Sequence, residues 1–188
     1  MKVQAIFLDR DGTINEEVGY LKTLAQLVLI PRAARAINMI NVSGMLSVVV
    51  TNQSGVARGY FTEAFVDTVH QHIQGMLAPQ QAQLDAFYYC PHHPEGRGTY
   101  RQECHCRKPG SGMLLMAARD MKIDLARSYL IGDTRKDMQA ALNAGVKPVL
   151  VRTGYGEEAE TECSEVCPNY IADDILDAVE WIMRDRQP

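Results

Sequence analysis

Short runs of apolar, largely β-branched residues occur at four places in this sequence and constrain its fold more than any other feature. They lie at residues 3–8, 45–50, 129–131 and 148–151. Runs of this length without polar alternation are typical of parallel strands that are buried on both faces. Segments with helical spacing lie between them. This alternation of strand and helix predicts an open, doubly wound α/β sheet.

The helical segments carry recognisable start and stop signals. Pro31 suits a first helical turn, Thr62 suits an N-cap and Gly145 suits the residue after a helix ends. A further helix is predicted over residues 113–121. The apolar residues expected to face the core from the other helices are Ala34, Ile37, Ile40, Phe65, Val69, Ile73, Met76, Met138, Ala141, Leu142, Ile175, Val179 and Ile182.

Four polar groups are expected where apolar runs end. They are Asp9-Arg10-Asp11-Gly12-Thr13, Thr51-Asn52-Gln53, Arg107-Lys108-Pro109 and Gly132-Asp133. Ligands of doubly wound sheets bind outside the carboxyl ends of the strands, so we expect the four groups to meet there. A turn, a helix cap or a solvated lysine would explain each group alone. Their joint occurrence predicts an active site.

The side chains in these groups suit phosphoryl transfer through an aspartate. The carboxylate of Asp9 could attack phosphorus, and Asp11 could protonate the leaving alkoxide and then activate water. Two ionised acids this close repel each other unless one carries a proton or a cation lies between them, and Mg²⁺ prefers such oxygen ligands. Asp133 offers a third carboxylate, and Asp137 is a candidate supporting acid behind the metal ligands. Thr51 and Lys108 would bind the transferring phosphoryl oxygens.

A long loop over residues 90–107 carries cysteines and histidines and has no apolar period. Its candidate ligands for tetrahedral Zn²⁺ are Cys90, His92, Cys104 and Cys106. His93 and His105 are alternative ligands, and a disulfide or unligated cysteines are alternative interpretations. Four protein ligands leave no open position, so the zinc would be structural and would hold the end of the loop at Arg107 and Lys108.

The bulk composition is that of a globular protein, with 46% hydrophobic and 22% charged residues. The net charge of −4 argues against a general nucleic-acid or membrane-surface binder. Five cysteines and a start without signal-peptide character lead us to expect reduced thiols in the cytoplasm. Cys163 and Cys167 lie apart and are interpreted as ordinary thiols. We expect one domain over residues 1–188, with no room for a cap domain.

The motifs resemble those of the haloacid dehalogenase superfamily of phosphatases. Residues 9–13 resemble its first motif, and Thr51, Lys108 and Gly132-Asp133 match the second, third and fourth in order. Three longer segments extend the likeness to the histidinol-phosphatase-like branch, over nearly the whole chain and more weakly after Thr153. These segments are residues 50–59, 88–94 and 104–109.

The resemblance implies a Mg²⁺- and Zn²⁺-binding phosphatase that removes the 7-phosphate of a heptose 1,7-bisphosphate for lipopolysaccharide synthesis. Asp9 would be the nucleophile and Asp11 the acid and base. Asp9, Asp133 and the main-chain carbonyl of Asp11 would hold magnesium. The implied substrate-binding residues are Asp9, Arg10, Asp11, Glu17, Val18, Gly19, Tyr20, Thr51, Asn52, Gln53, Ser54, Arg107 and Lys108. The expected partner is this small sugar bisphosphate, without nucleic acid or membrane, and the expected state is a monomer.

Other interpretations stay open at this point. A histidinol-phosphate phosphatase would share the acids and the zinc loop, and a zinc-stabilised binding module without catalysis belongs to a different class. Tyr20 could simply pack on the domain, and Arg107 could be a surface charge. Thr134 stands where the family often has lysine, and Ser111 where it often has proline. The sequence leaves the preferred anomer and the role of Thr134-Arg135-Lys136 open.

Overall fold

The computed structural model describes residues 2–161 and 166–186. The expectation for Cys163 falls outside these residues, whereas Cys167 is exposed. The strands and helices, in chain order, are β1 (Ala5–Leu8), α1 (Ala33–Val42), β2 (Leu46–Asn52), α2 (Ser54–Arg58), α3 (Glu63–Leu77), β3 (Ala86–Cys90), α4 (Gly112–Met121), β4 (Tyr129–Gly132), α5 (Arg135–Ala144), β5 (Lys147–Val151), α6 (Gly156–Thr161), β6 (Tyr170–Ala172) and α7 (Ile175–Asp185).

The strands form one parallel sheet in the order β3-β2-β1-β4-β5-β6. The predicted doubly wound α/β sheet is therefore confirmed, and its four predicted strands are β1, β2, β4 and β5. The sequence analysis missed β3 and β6, which are the two edge strands. Most residues of β3 are only partly buried, and β6 has three residues, so neither shows the continuous apolar run of a central strand.

Helices cover both faces of the sheet. Ile6 and Leu8 of β1 pack toward α1, α3 and α7, whereas Ala5 and Phe7 pack toward α4 and α5. This alternation follows from the two-residue period of a strand. All four side chains are fully buried, as expected for the central strand of a sheet with two covered faces.

The predicted helix signals are confirmed at two termini. The Thr62 hydroxyl caps α3 by accepting a hydrogen bond from the Phe65 N–H, and Gly145 ends α5 with a φ of 72°. Two of the predicted core positions are wrong. Met76 is 39% exposed and Leu142 is 46% exposed, because each lies beside the buried face of its helix and not on it.

Loops border the carboxyl edge of the sheet, as expected for a fold without a cap. The connections from β1 to α1 and from β3 to α4 contain only single turns of 3-10 helix. No helix within residues 2–161 or 166–186 is both long and apolar enough to cross a bilayer.

The packing of α1 gives a direct test of this architecture. Ile37 is fully buried between α1 and the sheet, whereas Val42 on the same helix is 80% exposed. We expect Ile37→Ala to lower the free energy of unfolding by about 2–5 kcal/mol, because it removes buried methyl groups and leaves a cavity. The matched change Val42→Ala should alter it by less than about 0.5 kcal/mol. Urea denaturation measures both, and equal losses would contradict the assigned packing.

Candidate active site

Polar side chains gather at the carboxyl edge of the three central strands. Asp9 directly follows β1, Thr51 is the penultimate residue of β2, and Asp133 directly follows β4. All three are buried, and the strands that carry them are neighbours in the sheet. These residues therefore lie together, as the sequence predicted from the rule that ligands bind outside the carboxyl ends of the strands, called the strand-end rule below.

Lys108 reaches the same edge by another route, so the expectation that it follows an apolar run is wrong. The chain leaves β3 at Cys90 and returns at Lys108 only after the long loop. Asn52 holds it there through two hydrogen bonds of 3.0 Å. The Lys108 N–H donates to Asn52 Oδ1, and Asn52 Nδ2 donates to the Lys108 carbonyl. Asn52 thus positions Lys108 as well as lining the cavity beside it.

The Lys108 ammonium group is almost fully buried and uses three acceptors. Its Nζ lies 2.8 Å from the Val50 carbonyl oxygen, 2.9 Å from Asp9 Oδ1 and 2.5 Å from Asp137 Oδ1. Burial alone would lower the pKa of this lysine, but the two carboxylates raise it above its usual range. Lys108 is therefore a fixed cation beside Asp9.

Three carboxylates surround this lysine. Asp9, Asp133 and Asp137 each place an oxygen within 4.8 Å of the others. Burial, followed by Asp137, raises the pKa of Asp9 to about 7, and burial, followed by Asp9, raises the pKa of Asp133 to about 8. When all three are ionised, one lysine leaves two negative charges uncompensated. This deficit is what a divalent cation would neutralise.

A buried oxygen at this cluster fits such a cation. Asp133 Oδ2 accepts a hydrogen bond of 2.9 Å from the Tyr155 N–H, but the buried Oδ1 has no hydrogen-bond partner among residues 2–161 and 166–186. The third clustered carboxylate belongs to Asp137, which the sequence analysis did not include among the metal ligands. The Asp11 side chain lies outside this group of oxygens. The contact of Asp11 with a cation that the resemblance implies is through its main chain.

The Asp11 carboxylate is held by three neighbours. Arg10 donates to both of its oxygens, with Nη2 at 2.8 and 2.7 Å, and Asn15 and Gln53 donate at 2.9 and 3.0 Å. Burial alone would raise the pKa of Asp11, but Arg10 and these hydrogen bonds hold it below its usual range. These hydrogen bonds therefore favour an ionised Asp11 carboxylate, which can accept a proton.

Gln53 connects Asp11 to the next strand. Its Nε2 donates to Asp11 Oδ2 and, at 2.8 Å, to Thr51 Oγ1, while its Oε1 accepts from Arg10. Because Thr51 Oγ1 accepts from Gln53, the hydroxyl hydrogen of Thr51 is available for another acceptor. Arg10 and Gln53 were predicted to bind substrate. In this structure both hold the Asp11 carboxylate in place, and Gln53 also holds Thr51.

A cavity of about 150 Å³ opens in front of Asp9. Its lining residues are Asp9, Asp11, Glu17, Gly19, Thr51, Asn52, Arg107, Lys108, Asp133, Thr134, Lys136 and Tyr155. A neighbouring cavity of about 110 Å³ includes Arg10, Tyr20, Gln53 and Ser54 in its lining. Tyr20 also packs edge-on against Tyr60, with ring centroids 4.7 Å apart. Val18 lies outside both linings and is 39% exposed.

Three cavity residues, Thr134, Lys136 and Tyr155, had no assigned role in the sequence analysis. Lys136 lies in the first turn of α5, three residues after Asp133, and Tyr155 lies four residues after the end of β5. The strand-end rule could have indicated Tyr155, because β5 ends at the same edge as β4. For Lys136, the signal was its place on the first helical turn after a carboxylate of the site.

The long loop brings its predicted metal ligands together. Cys90, His92, Cys104 and Cys106 place their ligand atoms within 4.8 Å of one another. Cys106 Sγ lies 2.8 Å from the sulfur atoms of both Cys90 and Cys104 and 3.7 Å from His92 Nδ1. Three thiols and an imidazole are a donor set that fits tetrahedral zinc.

The alternative histidines lie outside this cluster. The ring of His93 instead accepts a hydrogen bond from the Glu95 N–H and lies 3.4 Å from Arg58, and His105 is exposed. The loop is also fixed to the helices at its middle. Tyr100 donates a hydrogen bond of 2.6 Å to Glu63 at the start of α3. Both ends and the middle of the loop are therefore anchored.

Comparison with known proteins gives the same picture from sequence and from structure. A family model described as HAD-hydrolase-like matches residues 105–178. The D-glycero-beta-D-manno-heptose-1,7-bisphosphate 7-phosphatase of Haemophilus influenzae is 44% identical over 96% of this chain and 97% of its own. The enzyme of the same name from Escherichia coli strain K12 is 44% identical over 99% of this chain and 97% of its own.

A solved structure resembles the whole fold. The D,D-heptose 1,7-bisphosphate phosphatase from B. bronchiseptica, crystallised with magnesium and phosphate, aligns with a TM-score of 0.89 at 32% identity. The alignment covers 97% of this chain and 99% of that one. With the carboxylates, the lysine and the cysteine loop in place, this chain belongs to the D-glycero-beta-D-manno-heptose-1,7-bisphosphate 7-phosphatase family of the haloacid dehalogenase superfamily.

Proposed function

We propose that this protein hydrolyses the 7-phosphate of D-glycero-β-D-manno-heptose 1,7-bisphosphate, leaving heptose 1-phosphate, on the path to the activated heptose of lipopolysaccharide. The observation that carries the proposal is Asp9, held by Lys108 at the mouth of a buried carboxylate cluster. The relatives of this name match nearly the full chain, which supports the choice of substrate. A binding module without catalysis would have no need for this costly arrangement of buried charges.

Asp9 is the proposed nucleophile. Within the described part of the chain its close contacts fall on Oδ1, which accepts from the Arg10 N–H at 2.7 Å and pairs with Lys108 at 2.9 Å. Oδ2 therefore remains for attack on phosphorus. The new bond joins Asp9 Oδ2 to phosphorus, and the bond from phosphorus to the oxygen on C7 of the sugar breaks. Lys108 and the Thr51 hydroxyl stabilise the charge on the transferring phosphoryl oxygens.

Asp11 moves the proton in both halves of the reaction. In the first half it donates a proton to the leaving sugar oxygen. In the second it accepts a proton from the water that attacks phosphorus, and the bond between phosphorus and Asp9 Oδ2 breaks, which releases inorganic phosphate and regenerates the Asp9 carboxylate. Its hydrogen bonds to Arg10, Asn15 and Gln53 favour the ionised form that the second half needs. The negative charge of an arriving phosphate would favour protonation for the first half.

Magnesium fits the carboxylate cluster. Asp9, the partnerless Oδ1 of Asp133 and the main-chain carbonyl of Asp11 are the proposed ligands, and Asp137 stays paired with Lys108. When bound, the cation would neutralise the excess negative charge and so allow an anionic phosphate to approach an anionic nucleophile. The similar B. bronchiseptica protein was crystallised with magnesium and phosphate, which supports this assignment.

Cations at the mouth of the cavity are the proposed contacts of the second phosphate. Arg107 is half-buried and Lys136 is exposed, and both line the cavity that holds Asp9. A guanidinium group can bind a phosphate through two parallel hydrogen bonds, and Lys136 adds a second positive charge. Glu17 and Gly19 line the same cavity and are the proposed contacts of the sugar hydroxyls.

Zinc in the cysteine cluster is the proposed brace of this binding surface. Cys106 immediately precedes Arg107 and Lys108, so fixing the loop also fixes these two cations.

The thiols of Cys90 and Cys104 gather at this site instead of forming a disulfide, which suits a reducing compartment. The proposal also includes a monomeric cytoplasmic enzyme, with residues 1–188 as one phosphatase domain.

Substrate preference tests the proposal. With zinc-replete protein and Mg²⁺, we expect kcat/KM for the β anomer of heptose 1,7-bisphosphate to exceed that for histidinol phosphate by at least about 100-fold, which equals about 2.7 kcal/mol. The α anomer is measured beside them. Asp9→Asn is the control and should release no phosphate, which shows that the activity belongs to this chain. A preference for histidinol phosphate would refute the proposed substrate.

Loss of zinc should weaken substrate binding without removing the nucleophile. We expect Cys104→Ser to lose bound zinc and to raise KM for the bisphosphate by about tenfold or more, because Arg107 is no longer held in place. Binding of beryllium fluoride at Asp9 should persist. Cys167→Ser changes an exposed cysteine outside the cluster and should keep both zinc and KM. A full equivalent of zinc in Cys104→Ser would contradict the assigned ligand set.

A further inference from the structure

Two glycines from distant parts of the chain enclose the Asp133 carboxylate. Gly12 lies in the turn after β1, and Gly154 follows β5, and both have positive φ, at 80° and 61°. A Cβ on Gly12 would lie 2.0 Å from Asp133 Oδ2, and one on Gly154 would lie 2.1 Å from the same oxygen. Any side chain at either position would therefore displace this carboxylate. We call this space the glycine slot of Asp133.

The residues on either side of Gly154 complete the slot. The Thr153 hydroxyl donates a hydrogen bond of 2.6 Å to the Gly12 carbonyl oxygen, which joins the two turns across the sheet edge. The Tyr155 N–H donates to Asp133 Oδ2 at 2.9 Å. Asp133 Oδ2 is thus fixed by the slot, and the partnerless oxygen of this carboxylate is Oδ1.

We propose that Thr153 is a positioning residue for the metal site, which holds the Gly12 and Gly154 turns together so that Asp133 presents Oδ1 to the cation. The same hydroxyl fixes the peptide after Gly12, next to the Asp11 carbonyl. One hydrogen bond therefore orients two of the proposed ligands. This inference rests on the proposed magnesium site, but it does not depend on which phosphate ester is the substrate.

Direct Mg²⁺ binding tests the inference. Titration calorimetry on the zinc-replete full chain, without substrate, should give a dissociation constant about tenfold higher for Thr153→Val than for wild type, as is typical when an outer support of a metal ligand is removed. Thr153→Ala, which is smaller, should show the same loss. Thr153→Ser keeps a hydroxyl and should restore binding to near the wild-type value.

A matched control separates positioning from general stability. The Thr68 hydroxyl also donates to a backbone carbonyl, that of Ala64, but on the exposed side of α3. Thr68→Val should leave Mg²⁺ affinity unchanged. The unfolding temperature of the metal-free protein should be similar in wild type and Thr153→Val, because Thr153 is only half-buried.

Three outcomes with the variants would overturn the inference. They are wild-type affinity in Thr153→Val and Thr153→Ala, failure of Thr153→Ser to restore binding, and a loss of affinity matched by a general loss of metal-free stability. If the wild-type protein bound no Mg²⁺, the proposed metal site would fail and the inference with it. Normal binding by wild type but no turnover of the heptose bisphosphate would overturn the proposed substrate alone.

Discussion

The site depends on an electrostatic imbalance that is built into the sheet edge. Asp9, Asp133 and Asp137 are buried together, and among the residues that the structure describes Lys108 is the cation paired with this cluster. Such a group is costly in an apolar interior unless a cation or protons neutralise it. The raised pKa values of Asp9 and Asp133 express that cost. The same imbalance suits the edge to the proposed divalent cation and, through it, to a phosphate.

The rest of the structure holds these charges in place. Parallel strands with both faces covered fix Asp9 and Asp133 on rigid neighbours, whereas Lys108 arrives from a loop and needs separate support. Asn52 supplies that support by binding the main chain of Lys108, and the cysteine cluster anchors the segment just before it. Precise placement of charged groups is what electrostatic catalysis requires, since the groups then need no rearrangement during the reaction.

The sequence predicted the fold and the main carboxylates because both depend on local patterns. Continuous apolar runs identify central strands, and the strand-end rule then brings Asp9 and Asp133 together. It could not predict how Lys108 reaches them, because the pairing of Asn52 with its main chain joins residues far apart in sequence. Tertiary geometry likewise decides that the clustered third carboxylate is that of Asp137.

The proposed chemistry rests on Asp9 as the nucleophile, and the most direct test is to detect its phosphorylated form. Heptose 1,7-bisphosphate carrying ³²P at position 7 would be mixed with the enzyme, quenched in acid within the first turnover and digested, and the labelled peptide would be sequenced. The account predicts label on the peptide that contains Asp9, none in the Asp9→Asn variant, and loss of label as inorganic phosphate appears. Phosphate release at full rate with no label on this peptide would contradict it, because water would then attack the substrate directly.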